Sequence, residues 1–261
     1  MIETELERYH TLSNLGDIEA IHQLIDYYLE IGDQKKAFLN AKRFEYIEDK
    51  EGYRKLGYFY EHGISTDVDL EVAKDYYLKA YLLGDYLSGY NLALIFLREE
   101  RFFECAMYLP LAVYNNHLPS VKLLATLYLK GDGLEKNVEV ALNLFKLAVS
   151  LGDKTSFYKI GKILFERGDH IEASKYLLDA VKNNDYDACY LLATSYLRGL
   201  GVSINVQKAM ELYEIGADHD NIKCMHALAM HYQKGIGVKQ DLEKSQTLLE
   251  RIKIVKEAKQ K

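Results

Sequence analysis

Residues 189–199 read Cys-Tyr-Leu-Leu-Ala-Thr-Ser-Tyr-Leu-Arg-Gly, and this stretch decides the fold. Its apolar residues recur at intervals of three and four, which is typical of one face of an amphipathic helix. They are Cys189, Leu192, Ala193, Tyr196 and Leu197. The glycine that follows can adopt a left-handed conformation and end the helix. The stretch therefore predicts a helix that packs along one face and then turns.

The same pattern recurs along most of the chain, each time with a small residue after a leucine or isoleucine. The small residues are Gly57, Ala93, Ala125, Gly161, Ala193 and Ala229, and Ile25 stands at the equivalent place upstream. Their spacing alternates between 32 and 36 residues. A fixed period in this range predicts a solenoid of helical hairpins, in which each unit buries its apolar face against its neighbours. We therefore expect one all-α repeat domain over residues 1–261.

Each predicted hairpin has a glycine turn and a capped second helix. The turn glycines are Gly32, Gly63, Gly131, Gly168, Gly199 and Gly235. Residues that can cap the second helix follow, namely Asp33, Asp69, Asn137, Asp169, Asn205 and Asp241, with Arg101 as the exception. The second helices carry small residues for close packing, namely Ala37, Ala73, Cys105, Ala141, Ala173, Ala209 and Ser245.

The alternating period is explained by two turn lengths. Long turns carry a second glycine, as in Gly199-Leu200-Gly201-Val202, but one of them has Ser65 in that place. Pro119 fits the first turn of a helix, whereas Pro110 lies within a predicted second helix and should kink it. The repeats are predicted over 17–240, about seven in number, between cap helices at 2–15 and 241–260.

Composition narrows the class of protein. The net charge of −6 argues against a general affinity for nucleic acid or anionic lipid. The acidic start, Met1 to Glu7, is unlike a secretory signal, and no apolar run approaches the length of a membrane helix. Cys105, Cys189 and Cys224 stand singly, which gives no disulfide framework. We predict a cytoplasmic protein.

One family resembles this pattern closely. The stretch Gly199-Leu200-Gly201-Val202, followed by Asn205, Lys208-Ala209, Tyr213 and Ala217, resembles the Sel1-like repeat, a relative of the tetratricopeptide repeat. The resemblance covers about residues 17–256. It implies a right-handed superhelix of antiparallel helix pairs and a role as adaptor, regulator or scaffold. The paired cysteines of the family's secreted branch are absent, so that branch's properties are not expected.

Several patterns could suggest chemistry, and each has a plainer interpretation. The glycine turns lie between helices and lack the Gly-Lys-Ser/Thr of a phosphate loop. Ser156-x-x-Lys159 matches one motif of penicillin-recognising hydrolases, whose partner motifs are missing. His219, Cys224, His226 and His231 lack the spacing of three or four that helical metal ligands need. We predict no catalytic residue, no metal and no cofactor.

The resemblance also implies where a partner binds. In this family, residues three before, one after and five after the central small residue point into the concave face. Most of these positions in this chain are basic or aromatic. The candidate partner-binding residues are Arg54, Tyr58, Tyr90, Arg98, Lys122, Lys130, Tyr158, Lys162, Tyr190, Arg198, His226 and Lys234. Such a wall suits a protein or peptide with acidic residues or a free C-terminus.

The leading hypothesis is a non-catalytic, bacterial-type adaptor or regulator that binds a partner segment in its concavity. An immunity protein or inhibitor that sequesters a toxin or effector is the alternative. A cationic toxin would rather contact the acidic outer surface or the first unit, where Asp26 and Glu30 occupy the inner positions. A penicillin-recognising hydrolase and an RNA-binding solenoid with stacking tyrosines are weaker alternatives.

Overall fold

A computed structural model of the chain describes residues 3–258. Its contacts divide the chain into two compact units, Met1–Asn137 (unit 1) and Val138–Lys261 (unit 2), which are described separately. Every regular element among residues 3–258 is a helix, and the all-α prediction is confirmed. The single-domain assignment over 1–261 stays a prediction.

Unit 1 consists of a lone helix followed by hairpins. Its helices are α1 (Glu3–Asn14), α2 (Ile18–Glu30), α3 (Gln34–Ala41), α4 (Lys50–His62), α5 (Leu70–Leu82), α6 (Tyr86–Arg98), α7 (Phe102–Tyr108), α8 (Pro110–Tyr114) and α9 (Leu118–Lys130), with a 3-10 turn at Lys42–Glu45. The helix is interrupted between α7 and α8, directly before Pro110, as predicted. Pro119 lies in the first turn of α9.

Unit 2 repeats the hairpin and ends in a longer helix. Its helices are α10 (Val138–Ser150), α11 (Ser156–Arg167), α12 (His170–Lys182), α13 (Cys189–Arg198), α14 (Val206–Asp218), α15 (Ile222–Lys234) and α16 (Leu242–Ala258), with a 3-10 turn at Tyr186–Ala188. The predicted cap helices correspond to α1 and α16. Ile2 and residues 259–260, which were included in those predictions, lie outside the described residues.

The small residues permit close helix packing, as predicted. A Cβ atom on Gly57 in α4 would lie 2.6 Å from the ring of Tyr77 in α5. Likewise, a Cβ atom on Gly161 in α11 would lie 2.8 Å from the side chain of Leu177 in α12. Since close-packed interiors leave no room for an added carbon, the two helices of each hairpin meet at these glycines.

The turn glycines adopt the left-handed conformation that ends a helix. Gly63, Gly131, Gly199 and Gly235 have φ between 64° and 82° and cap the first helices of the long-turn hairpins. Ser65, which replaces a second glycine, is also left-handed, with φ of 58°. A residue with a Cβ atom is strained in this region.

Capping of the second helices follows the prediction with one correction. The side chains of Asp33, Asp69, Asn205 and Asp241 accept hydrogen bonds from backbone amides of the following turn. Asp169 occupies the same place, but its side chain makes no capping bond. The guanidinium of Arg167 lies 2.6 Å from its carboxylate, and this ion pair replaces the cap.

Candidate partner-binding surface

The predicted inner positions begin in unit 1 with residues that tie one first helix to the next. His22 Nε2 in α2 lies 2.9 Å from Asp49 Oδ2, and Arg54 Nε in α4 lies 3.3 Å from Asp85 Oδ2. Asp49 and Asp85 are the N-cap residues of α4 and α6. These two caps are 36 residues apart and so follow the same alternating spacing as the repeats. Arg54 and His22 therefore serve first as structural links between repeats.

Tyr90 continues this series of links. Its ring centroid lies 4.7 Å from that of His117, the N-cap residue of α9. Burial raises the pKa of the Tyr90 hydroxyl and lowers the pKa of His117. Both groups are thus held in their neutral forms in a partly enclosed contact.

The basic residues of unit 1 mostly contact carboxylates of the chain itself. Arg98 forms an ion pair with Glu61, and Lys130 Nζ lies 3.7 Å from Asp132. Lys122 is half-buried. Tyr58 remains exposed and packs on His62 with ring centroids 4.2 Å apart. Much of the basic charge predicted here is therefore neutralised. The repeat pattern does not mark the positions of Glu61 and Asp132, so it could not predict these ion pairs.

Unit 2 starts in a similar way. Lys162 Nζ in α11 lies 3.9 Å from Glu166, one helical turn away. Tyr158 is half-buried, and burial together with the nearby Asp187 and Asp185 raises the pKa of its hydroxyl.

Between α13 and α15 the structure forms a depression of about 420 Å³ (the α13–α15 depression). Six predicted inner positions line it together, namely Tyr190, Thr194, Arg198, His226, Met230 and Lys234. Four of these six are candidate binding residues. The spacing rule for the inner face therefore brings residues of two neighbouring first helices to one surface.

The sequence pattern did not predict several other residues that line the depression. Lys223 lies one turn before His226 on the same face of α15, and helical periodicity alone would have found it. Tyr213 comes from the second helix α14, and its hydroxyl lies 3.4 Å from Thr194 Oγ1. His231 Nδ1 lies 2.7 Å from the carbonyl oxygen of Ile236, which positions the ring at the rim.

The charge of this depression is one-sided. Among the residues that the structure describes, no Asp or Glu lines it. Within residues 3–258, Arg198, Lys223 and Lys234 have no ion-pair partner, unlike the basic residues described in unit 1. Its floor is apolar and aromatic, with Leu197 and Tyr213 among the contributors. An anionic group with an apolar neighbour is the ligand that such a surface can hold.

A smaller depression of about 210 Å³ adjoins it and shares Tyr190, Ile222 and Lys223. Besides Lys223, it is lined by two acids, Asp187 and Asp220. Acidic side chains thus adjoin the α13–α15 depression at the N-terminal end of α15, next to Lys223.

The residues that could suggest catalysis or metal binding are placed unfavourably for it. Ser156 is fully buried, and its Oγ donates a hydrogen bond to Asp153 at 2.6 Å, so it is no accessible nucleophile. Burial raises the pKa of Cys189 to about 11 and that of Cys224 to about 12, so neither forms a thiolate near neutral pH. In the described part of the chain, no three His, Cys, Asp or Glu side chains group as metal ligands, and no helix is long and apolar enough to span a bilayer.

A family model of the Sel1 repeat matches residues 50–85, 122–153, 187–221 and 222–252, just over half of the chain. A putative sel1-like repeat-containing protein of Acanthamoeba polyphaga mimivirus is 29% identical over 111 residues. That match covers 42% of this chain and only 20% of the viral protein.

Solved structures show the same fold. A Sel1 repeat protein from Oxalobacter formigenes superposes with a TM-score of 0.61 at 24% identity, over 87% of this chain and 95% of that one. A protective antigen of uropathogenic Escherichia coli gives 0.67 at 20% identity, over 97% of this chain and 60% of that one. The C-terminal part of a TPR repeat-containing protein from Cytophaga hutchinsonii gives 0.59 at 13% identity, over 89% and 94%.

Proposed function

Because this chain belongs to the Sel1 repeat family, whose helical repeats generally serve as scaffolds for protein interactions, we propose that it is a non-catalytic adaptor or regulator. Its first helices bind a segment of a partner protein that carries acidic residues or a free C-terminus. The cytoplasmic and bacterial setting stays a prediction from the sequence.

The α13–α15 depression is the observation that supports this proposal most. It combines cations that have no ion-pair partner within residues 3–258 with aromatic and apolar side chains in one concave site. Arginine, tyrosine and tryptophan are enriched among the few residues that contribute most of the binding energy in protein interfaces. Charge-assisted hydrogen bonds to carboxylates are about twice as strong as neutral ones.

Affinity capture followed by mass spectrometry tests the proposal. Wild type is compared with a variant that carries Arg198→Glu and Lys234→Glu, two changes at exposed positions of the depression. Lys175→Glu, at an exposed position of α12 outside it, is the matched control. We expect partners to be lost from the double variant and kept by the control. Equal recovery by all three proteins would contradict binding at this surface.

The immunity or inhibitor role is the second candidate, and the charge distribution favours it specifically. Residues 1–137 hold 15 Lys and Arg against 23 Asp and Glu, whereas residues 138–261 hold 18 against 16. A basic toxin would therefore bind unit 1. Glu30→Lys with Asp67→Lys, both at exposed positions, should release such a partner, while the Arg198 and Lys234 variant should retain it.

A further inference from the structure

We propose that the α13–α15 depression recognises an extended partner segment with two acidic groups, about four residues apart, and an apolar side chain midway between them. This inference rests on the proposed function and adds the chemistry and the spacing of the ligand.

The two cationic ends of the depression lie on one helix face. Lys223 is near the start of α15 and Lys234 is its last residue. With a rise of 1.5 Å per residue, the eleven steps between them span about 16 Å. With 3.6 residues per turn, the two side chains are rotated by only about 20° from each other. Arg198, the last residue of α13, lines the same depression.

Between the two lysines, apolar side chains and His226 line the depression. Met230 lies between the two lysines on α15 and is 52% exposed. Leu197 and Ala227 also line the depression, and the half-buried ring of Tyr190 adds aromatic surface. An apolar side chain bound there removes this surface from water, which is favourable.

An extended peptide matches this arrangement of charge and apolar surface. It advances about 3.3 Å per residue, and residues i, i+2 and i+4 share one face. Acids at i and i+4 are then separated by about 13 Å, which flexible Lys and Arg side chains can bridge to the 16 Å of the helix face. The residue at i+2 faces Met230. A C-terminal carboxylate can take the place of the second acid.

The neighbouring acidic depression sets a limit to the ligand. Beyond Lys223 lie Asp187 and Asp220, and Asp220 already accepts Arg251 at 2.8 Å. An acidic run that continued past the first acid would meet the like charge of Asp187 there. The site therefore favours a pair of acids over a long acidic tract.

Fluorescein-labelled peptides of eleven residues test the spacing by fluorescence anisotropy. The first carries Glu-Ser-Leu-Ser-Glu at its centre, and the second has the same composition with the two glutamates adjacent. A third continues the acidic run past the first glutamate. We expect the first peptide to bind at least fivefold more tightly than the other two. Equal affinities for the first and second would overturn the proposal.

Single substitutions assign each acid to its end of the depression. Lys223→Ala should weaken binding of the two-acid peptide three- to tenfold. It should have no effect on a peptide in which the glutamate that Lys223 contacts is already replaced by glutamine. Lys234→Ala should show the same dependence on the opposite glutamate. If both substitutions depend on the same glutamate, the two-ended arrangement is wrong.

A displayed library of random peptides separates this inference from the proposed function. Peptides enriched on wild type but not on the Arg198→Glu, Lys234→Glu variant support binding at this surface. If they share no pair of acids, the spacing is overturned and the function stands. If no peptide depends on the two cations, the proposed function at this surface fails. Circular dichroism melting confirms that each variant is folded.

Discussion

The backbone of His170 lies directly against Gly201, so that a Cβ atom on residue 201 would be 2.1 Å from the His170 carbonyl oxygen. The second glycine of this long turn thus packs against the first turn of α12 in the preceding hairpin. Gly133 contacts Phe102 of α7 in the same way within unit 1. The glycine that lengthens the turn therefore also joins two repeats.

Gly201→Ala should lower the free energy of unfolding by about 3 kcal/mol, because the added carbon meets backbone and φ is +72°. Gly152→Ala is the matched control, since Gly152 is also left-handed but no atom of the described part of the chain lies within 4 Å of its Cβ position. It should lose only about 1 kcal/mol. Urea unfolding followed by circular dichroism measures both. Equal losses would mean that the close contact contributes nothing.

Ser65→Gly should stabilise the protein by roughly 0.5–1 kcal/mol. Ser65 has φ of 58°, a conformation that glycine adopts without a steric penalty, and this gain exceeds the added flexibility of the unfolded chain. Ser65→Ala, which keeps the strain, is the control and should give no gain. A thermal melt of the glycine variant that lies below wild type would contradict the prediction.

Asp85→Ala should cost about 2 kcal/mol, because Asp85 accepts hydrogen bonds from the Ser88 amide and hydroxyl at the start of α6. Asp85→Asn keeps an N-cap acceptor but removes the charge beside Arg54, and should cost less than half as much. Chemical denaturation compares the two. If both variants lose the same amount, the pairing with Arg54 outweighs the cap.

His117 should make the protein less stable in mild acid. Burial lowers its folded pKa, so the unfolded chain binds the proton more readily below about pH 6.5. Stability is therefore present above that pH and is lost as the pH falls through the folded pKa. His117→Asn places a favourable N-cap residue at this position and removes the titrating ring. As the pH falls from 7.5 to 5, the melting temperature of this variant should rise relative to that of wild type. A difference in melting temperature that stays constant with pH would exclude the effect.

The local parts of the fold could be predicted because they are set by short segments that repeat. Helices, turn glycines and the break before Pro110 follow from spacing and backbone preference, and all are confirmed. The capping role of Asp169 was wrong, because the choice between a backbone amide and Arg167 depends on side-chain geometry. The pairing of Arg98 with Glu61 joins positions 37 residues apart, which no local pattern marks.

The same limit applies to the candidate site. A family rule for inner positions selected Arg198 and Lys234, which the structure brings together. It omitted Lys223, because the rule samples only three positions of each first helix. It also could not show which cations keep their charge available, since that depends on where the acidic side chains of neighbouring repeats lie.

The contact of a second glycine with the preceding hairpin has a consequence for how such an array can change in length. Gly133 and Gly201 each contact the start of a short-turn hairpin's second helix, and they stand 68 residues apart. Where two long-turn hairpins are adjacent, the atoms nearest to a Cβ on Gly237 belong to the side chains of Val206 and Met210, so the close backbone contact is particular to a short-turn hairpin followed by a long-turn one. The exchangeable module for evolution or engineering is accordingly the pair, one short-turn hairpin with the long-turn hairpin that locks onto it.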